Sequence, residues 1–366
     1  MNQIHSPYLR VFVLLHGAFG LQLLPITFTN QRSSIYLIIN LLLNTITLYC
    51  IYYDSIVADS IVQHQSHKLY HHFLRLNFHL IYPIIYFCFI FNYLLYGYRI
   101  ILLLDSPVFI HRSLMFDCRR NRLKALTIYL AVKLFWDHWS FVNNYHWIII
   151  LIYKFNWRQF KLLFGLYFYH IYIITTWFLL YYHQIVLYLT LQRIQQKLSA
   201  KSVIKNNNYN NFSFEKRLYR SIRNVSLKNQ QIQSKFSLIL AVIFLEHSIV
   251  TITSLCYLFL DQMGNEMNRP LSIYSHSLRF LIYFGLIEIN RQNIQLFDQI
   301  ERYFNCKIFN NNEGKKISSR FSQFSQLKLY RQYYPLSIFH FMNIDAITAL
   351  ELFFISLSFV LIISLA

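Results

Sequence analysis

Apolar residues run through this chain in long blocks separated by polar or basic stretches. A helix needs roughly 20 mostly apolar residues to cross the hydrocarbon core of a bilayer. Seven blocks meet that length: residues 35–53, 79–104, 124–153, 162–189, 236–260, 271–289 and 346–366. Six and eight are the neighbouring counts. The third block is longer than a span requires and carries Asn143 and Asn144, which tilt or a projecting end accommodates. A further apolar stretch, 8–24, is short, and no small-x-small cleavage site follows Pro25. It reads as an uncleaved interfacial or re-entrant helix rather than a signal peptide. The pattern divides the chain into an N-terminal cytosolic or interfacial segment, 1–34, and a seven-helix unit, 35–366.

The polar stretches 190–235 and 290–345 are not featureless. Leu218, Ile222, Val225 and Ile232 alternate with Arg217, Arg220, Arg223 and Lys228, and Ile294, Phe297, Ile300 and Phe304 recur at helical spacing. Both predict helical extensions that pack into a layer beneath the membrane. Asn-rich breaks at 205–211 and 310–314 read as flexible links.

Charge orients the spans. The chain carries 34 Lys/Arg against 15 Asp/Glu, a net charge of +19. The second, fourth and sixth inter-span stretches hold 23 Lys/Arg, and the first, third and fifth hold six. Basic residues collect on the cytoplasmic side, so the even-numbered stretches lie inside. The N-terminus is then cytoplasmic and the C-terminus extracellular, the reverse of a G-protein-coupled receptor. A nucleic-acid partner would need the charges gathered on one domain, and they alternate with spans instead. The sequons at Asn211 and Asn224 fall on an inside stretch and are expected to stay unglycosylated.

Composition supports a membrane protein. Hydrophobic residues make up 55% of the chain and charged residues 13%, against about 25% charged in soluble proteins. Only 7 Gly and 6 Pro argue against turn-rich β architectures and against Gly-rich phosphate loops. The expected fold class is an all-α membrane protein, a seven-transmembrane helix bundle with an intracellular N-terminus and cytosolic helical extensions. The five cysteines form no Cys-x-x-Cys pair, so neither a disulfide framework nor a zinc site is expected.

The search for chemistry yields no hydrolase, metalloprotease or Walker pattern, and no enzymatic function or cofactor is expected. His64, His67, His71 and His72 lie close together, with His67 and His71 at i, i+4, but no carboxylates adjoin them. They read as a polar helical lead-in to the second span, and no metal is assigned. Glu301-Arg302-Tyr303 has the composition of a G-protein-coupled receptor triplet but follows the wrong span, and is taken as chance. Ionisable residues within predicted spans are Lys133, Asp137, His138, Glu246, His247, Arg279, Glu288 and Glu351. Lys133 and Asp137 at i, i+4 neutralise each other, and Glu246 has Arg279 as a candidate partner. Aromatic residues make up 19% of the chain; Tyr145, Trp147, Trp157, Tyr181 and Tyr182 sit near span ends. An interfacial belt accounts for them one by one, and an aromatic pocket for a small apolar ligand is the functional alternative.

The last span is the most informative. At 100° per residue, Thr348, Ile355, Phe359, Ile362 and Ala366 fall on one stripe, with Asp345 and Glu351 at its inner end. Two readings stay open. A pore-lining helix would use the acids to favour cations and the apolar positions to gate by dewetting. A lipid-facing or bundle-packed helix would leave the acids at the interface.

The chain resembles the insect gustatory and odorant receptor superfamily, most closely its gustatory branch. The seven-span layout with an inside N-terminus matches. Tyr8-Leu-Arg-Val, Gly17, Gly20 and Pro25 are similar to the short apolar segment that opens many gustatory receptors. Phe324-Ser-Gln-Leu327 resembles the helix before the last span, and Phe341-Met-Asn-Ile-Asp345 resembles the lead-in to it. The family's terminal signature, Thr-Tyr, five apolar residues and Gln-Phe, aligns with Ser358 and Phe359 and then departs at Leu365 and Ala366. The family's glutamine lies near the pore gate, so the departure bears on conduction. The resemblance implies a homo- or heterotetrameric ligand-gated cation channel in the plasma membrane. It implies a seventh helix lining a central pore, a cytosolic helical anchor, and a small-molecule ligand bound among the other spans in surrounding lipid. A non-conducting assembly partner or structural membrane protein is the alternative, with a G-protein-coupled receptor or transporter behind it.

Overall fold

A computed structural model describes residues 31–62, 80–109, 157–203, 208–259, 268–309, 330–338 and 342–365, with Leu9, Arg10, Val13 and Leu76. Those residues are almost entirely helical. The helices are α1 (Gln31–Val62), α2 (Tyr82–Leu104), α3 (Trp157–Val203), α4 (Asn208–Phe259), α5 (Asn268–Phe309) and α6 (Ala346–Leu365). A 3-10 turn, Arg331–Tyr333, and two short strands, β1 (Ser337–Ile338) and β2 (Met342–Asn343), lie between α5 and α6. Three helical stretches are long and apolar enough to cross a membrane: Tyr82–Leu104, Ile171–Ser199 and Arg217–Ile249. Shorter apolar stretches, Leu37–Tyr52 and Ile347–Ile362, lie within α1 and α6. The expected span 124–153, with Lys133, Asp137 and His138, lies outside the described residues, as do the histidines 64–72 and the motif at 324–327.

The helices run further than the apolar blocks. α3 is 47 residues long, α4 is 52 and α5 is 42. At about 1.5 Å per residue these reach roughly 60–80 Å, about twice a hydrocarbon core or more. Each fuses an expected span with its polar neighbour, so 190–203, 208–235 and 290–309 continue the spans without a break. Nothing in the sequence stops them: α4 contains neither Gly nor Pro, and its apolar stripe persists. Leu218, Ile222, Val225 and Ile232 are all buried, and Arg217, Arg220 and Arg223 are exposed. Of the Asn-rich stretch, Asn208, Asn210 and Asn211 are helical and belong to the first turn of α4. α1 begins at Gln31, four residues before the apolar block that starts at 35. Leu9 and Val13 are helical and buried in the core.

α3 packs along α1 and α5, and α4 packs along α2 and α6. The contact among α1, α2 and α3 is built from tyrosine. Tyr86 (3.0 Å) and Tyr172 (2.6 Å) both donate to Asn44 Oδ1, and the hydroxyls of Tyr93 and Thr176 bond at 2.7 Å. Buried hydroxyls are costly unless bonded, and these bond to one another across three helices. Tyr181 and Tyr182, expected in an interfacial belt, are instead buried in the core. Their positions on α3 face neighbouring helices, a direction that nearness to a span end does not reveal.

Large apolar side chains stay exposed along single faces: Ile38, Leu42, Ile46 and Tyr49 on α1, and Ile84, Phe87, Phe91 and Leu95 on α2. Stripes of this size in water would drive association, and hydrocarbon removes that penalty.

Gly285 shows how tightly α5 meets α3. A Cβ at this position would lie 2.6 Å from the Tyr181 hydroxyl, with the next ring atom at 3.6 Å. Gly285→Ala is therefore expected to destabilise the protein by about 1–3 kcal/mol. Because the clash is with the hydroxyl alone, Tyr181→Phe in the Gly285→Ala background is expected to recover most of the loss. Thermal unfolding of the single and double variants in detergent checks this; equal melting of both would show that the approach is not tight.

Candidate functional site

The lead-in to α6 is the most elaborately held segment among the described residues. Arg331–Tyr333 form a single 3-10 turn, which ends where Pro335 removes an amide donor. The chain then folds back on itself. β1 pairs antiparallel with β2, in register Ser337 with Asn343 and Ile338 with Met342. Ile344 N–H closes this hairpin-like turn onto the Leu336 carbonyl at 2.8 Å. Asp345 follows and caps α6. Its Oδ1 accepts from the Thr348 amide (2.9 Å) and hydroxyl (3.0 Å), satisfying an amide that the helix start leaves unpaired.

Tyr334 anchors this segment to the long helices. It is completely buried, its hydroxyl bonds Ser226 of α4 at 2.8 Å, and its ring stacks on Phe297 of α5 at 4.2 Å between centroids. Burial pushes the hydroxyl well above its ordinary pKa, and the Ser226 bond offsets part of that. The backbone is held on both sides. Asn229 (2.6 Å) and Gln233 (3.0 Å) of α4 donate to the Tyr333 carbonyl. Asn290 of α5, with its amide turned to match, donates to the Tyr334 carbonyl (2.9 Å) and accepts from Leu336 N–H (3.2 Å). Outside, Arg331 pairs with Asp298 of α5 at 3.1 Å. A shift of α4 against α5 thus pulls on the segment that leads directly into α6.

A second polar cluster joins the helices themselves. Asn293 Nδ2 of α5 donates to the side chain (2.8 Å) and backbone (3.1 Å) carbonyls of Gln184 on α3. Gln195 of α3 and Gln299 of α5 bond one helical stretch further along.

The residues singled out from sequence take distinct places. α6 packs Ala349, Leu352, Ser356 and Val360 inward, and α4 is the helix it lies against. Ile355 and Ile362 are 66% and 61% exposed, and Phe359 is exposed beside them. Their stripe lies roughly 100° round the helix from the packed face. Asp345 and Thr348 are brought together, but as a helix cap. Glu351 is exposed on α6. Ser358 turns its hydroxyl to the Phe354 carbonyl at 2.8 Å, Leu365 is 89% exposed, and Ala366 lies outside the described residues. Glu288, read as an intramembrane acid, is exposed and paired with Arg291 at 2.7 Å. Glu246 is buried in α4, and the side chain of Arg279 lies outside the described residues.

Tyr334, Ser226, Asn229, Gln233, Asn290 and Asn293 were not legible as a group. The available signal was polar side chains on an otherwise apolar stripe: Leu286, Asn290, Asn293, Phe297 and Ile300 share one buried face of α5. No protein-family model matches this chain, and no curated protein matches it either.

Proposed function

We propose that the chain is a subunit of a gustatory-type, ligand-gated cation channel of the plasma membrane. The bundle has seven spans in this reading, with a cytoplasmic N-terminus, an extracellular C-terminus, and α6 as the seventh span and pore wall of a tetramer. One observation carries the reading. α6 packs a single narrow stripe on α4 and leaves Ile355, Phe359 and Ile362 uncovered, while its inner end is tied through Tyr334 to α4 and α5. A helix so placed is free to line an axis with its uncovered flank and to be moved from its inner end. A ligand that favours one arrangement of α4 and α5 would shift the population of α6 positions, and only in proportion to its differential affinity.

A second reading has its own observation. Leu365, where the family carries glutamine, is an apolar side chain almost wholly exposed at the end of α6. A subunit that assembles without conducting fits that replacement.

Expression in cells with cation-current recording, against a panel of small apolar and amphipathic ligands, tests both. Ligand-evoked current from the wild-type chain supports the channel reading. Current only after Leu365→Gln with Ala366→Phe supports the non-conducting reading. Silence of both forms, with surface expression and tetramers present, overturns the channel proposal. Epitope tags at the two ends found on the same side of the membrane overturn the topology.

A further inference from the structure

Where α3, α4 and α5 meet, the polar side chains outnumber their protein partners. His183 and Gln184 come from α3, Asn229 and Gln233 from α4, and Asn293 from α5; each is at most 1% exposed. Their amide nitrogens are committed. Asn293 Nδ2 is bonded to Gln184, and the nitrogens of Asn229 and Gln233 to the Tyr333 carbonyl. Those bonds fix which way each amide points and turn each oxygen away from them. Two oxygens, Gln233 Oε1 and Asn293 Oδ1, then have no protein partner, and His183 Nε2 and Asn229 Oδ1 make no well-aligned bond although their side chains lie within reach of each other.

The tautomer of His183 follows from its neighbour. Gln184 Nε2 lies 3.4 Å from His183 Nδ1, and an amide nitrogen only donates. Nδ1 is therefore the acceptor, and Nε2 carries the hydrogen. The belt offers three acceptors and one donor, with the His183 ring and the Asn229 side chain as neighbours across α3 and α4. A ligand that completes it must donate to oxygens and accept from N–H. A bare cation satisfies the oxygens but cannot accept from Nε2–H, and none of these five side chains is acidic. Water does both, and buried water at such places is a regular part of protein interiors.

We propose that internal water occupies this belt, bridging His183, Asn229, Gln233 and Asn293 at the junction of α3, α4 and α5. The helix contact next to the lead-in of α6 is then hydrated rather than dry. Contacts made through water exchange partners without leaving a buried group unpaired, which eases sliding of one helix on another.

Radiolytic hydroxyl labelling of the full-length purified protein tests this without any assumption about conduction, because radicals formed from a bound internal water react with the side chains beside it. His183 is expected to label several-fold above Phe89 and Phe236, which are equally buried and belong to the hydrophobic core. Asn293→Leu, which removes one acceptor, is expected to lower the His183 signal relative to the same controls. His183 labelling no higher than Phe89 and Phe236, after correction for intrinsic reactivity, overturns the proposal. Strong labelling of all three also overturns it, since that reports general opening of the bundle. Should Asn293→Leu fail to fold, the wild-type comparison alone decides.

Discussion

Replacing Tyr334 with alanine is expected to cost about 3–5 kcal/mol, the range for truncating a buried aromatic side chain. The ring fills the space between α4 and α5 and stacks on Phe297, so its loss leaves a cavity at the one place where the lead-in of α6 is anchored. Tyr334→Phe keeps the ring and removes only the bond to Ser226, which predicts a loss of about 1 kcal/mol. Ser226 is not orphaned by that change, because its hydroxyl also donates to the Ile222 carbonyl at 2.9 Å. Ser226→Ala is therefore expected to add little in the Tyr334→Phe background, a coupling that a double-mutant cycle reads directly. Thermal unfolding in detergent measures all four proteins. Wild-type melting of Tyr334→Ala would mean that the lead-in is not clamped between the long helices.

A charge placed near the middle of α6 is expected to separate a water-lined flank from a lipid-facing one. Phe354 is 60% exposed and Ile355 66% exposed, on flanks about 100° apart. An aspartate at the centre of a span facing hydrocarbon costs about 3 kcal/mol on insertion scales. Phe354→Asp is expected to lose folded protein at the cell surface by that amount. Ile355→Asp, on the proposed pore flank, is expected to be tolerated. Val360→Asp sets the upper limit, since it would bury an unpaired charge against α4. Surface expression and monodisperse yield give the comparison. Equal damage from Phe354→Asp and Ile355→Asp would place lipid on both flanks and remove the pore wall from the proposal.

The contrast between these two sites shows where sequence reading succeeds. Helix positions were legible because each apolar block is long and Gly and Pro are rare within it: Pro83 stands in the first turn of α2, and Gly97, Gly165 and Gly285 are single residues inside otherwise apolar runs. Six of the seven apolar blocks overlap described helices, and three of those helices hold a stretch long and apolar enough to cross a membrane. The extensions were legible for the same reason: Leu218, Ile222 and Val225 keep the helical period through a strongly basic stretch. Tyr181 and Tyr182 went the other way. In a chain this rich in aromatics, closeness to a span end is uninformative unless the direction of the side chain is known. Asp345 was legible as an acid beside α6, but its bonds to Thr348 make it a cap first.

Hydropathy and charge are properties of position along the chain, so they were enough to establish a helical, membrane-compatible protein with basic extensions. Pairing across helices is a property of distance in space. Only the packed structure could bring Tyr334 to Ser226, more than 100 residues away in sequence, or set Asn293 against Gln184. A polar residue on an apolar stripe signals that some partner exists. Which partner it finds depends on the rotation and register of a helix whose own sequence carries no record of its neighbours.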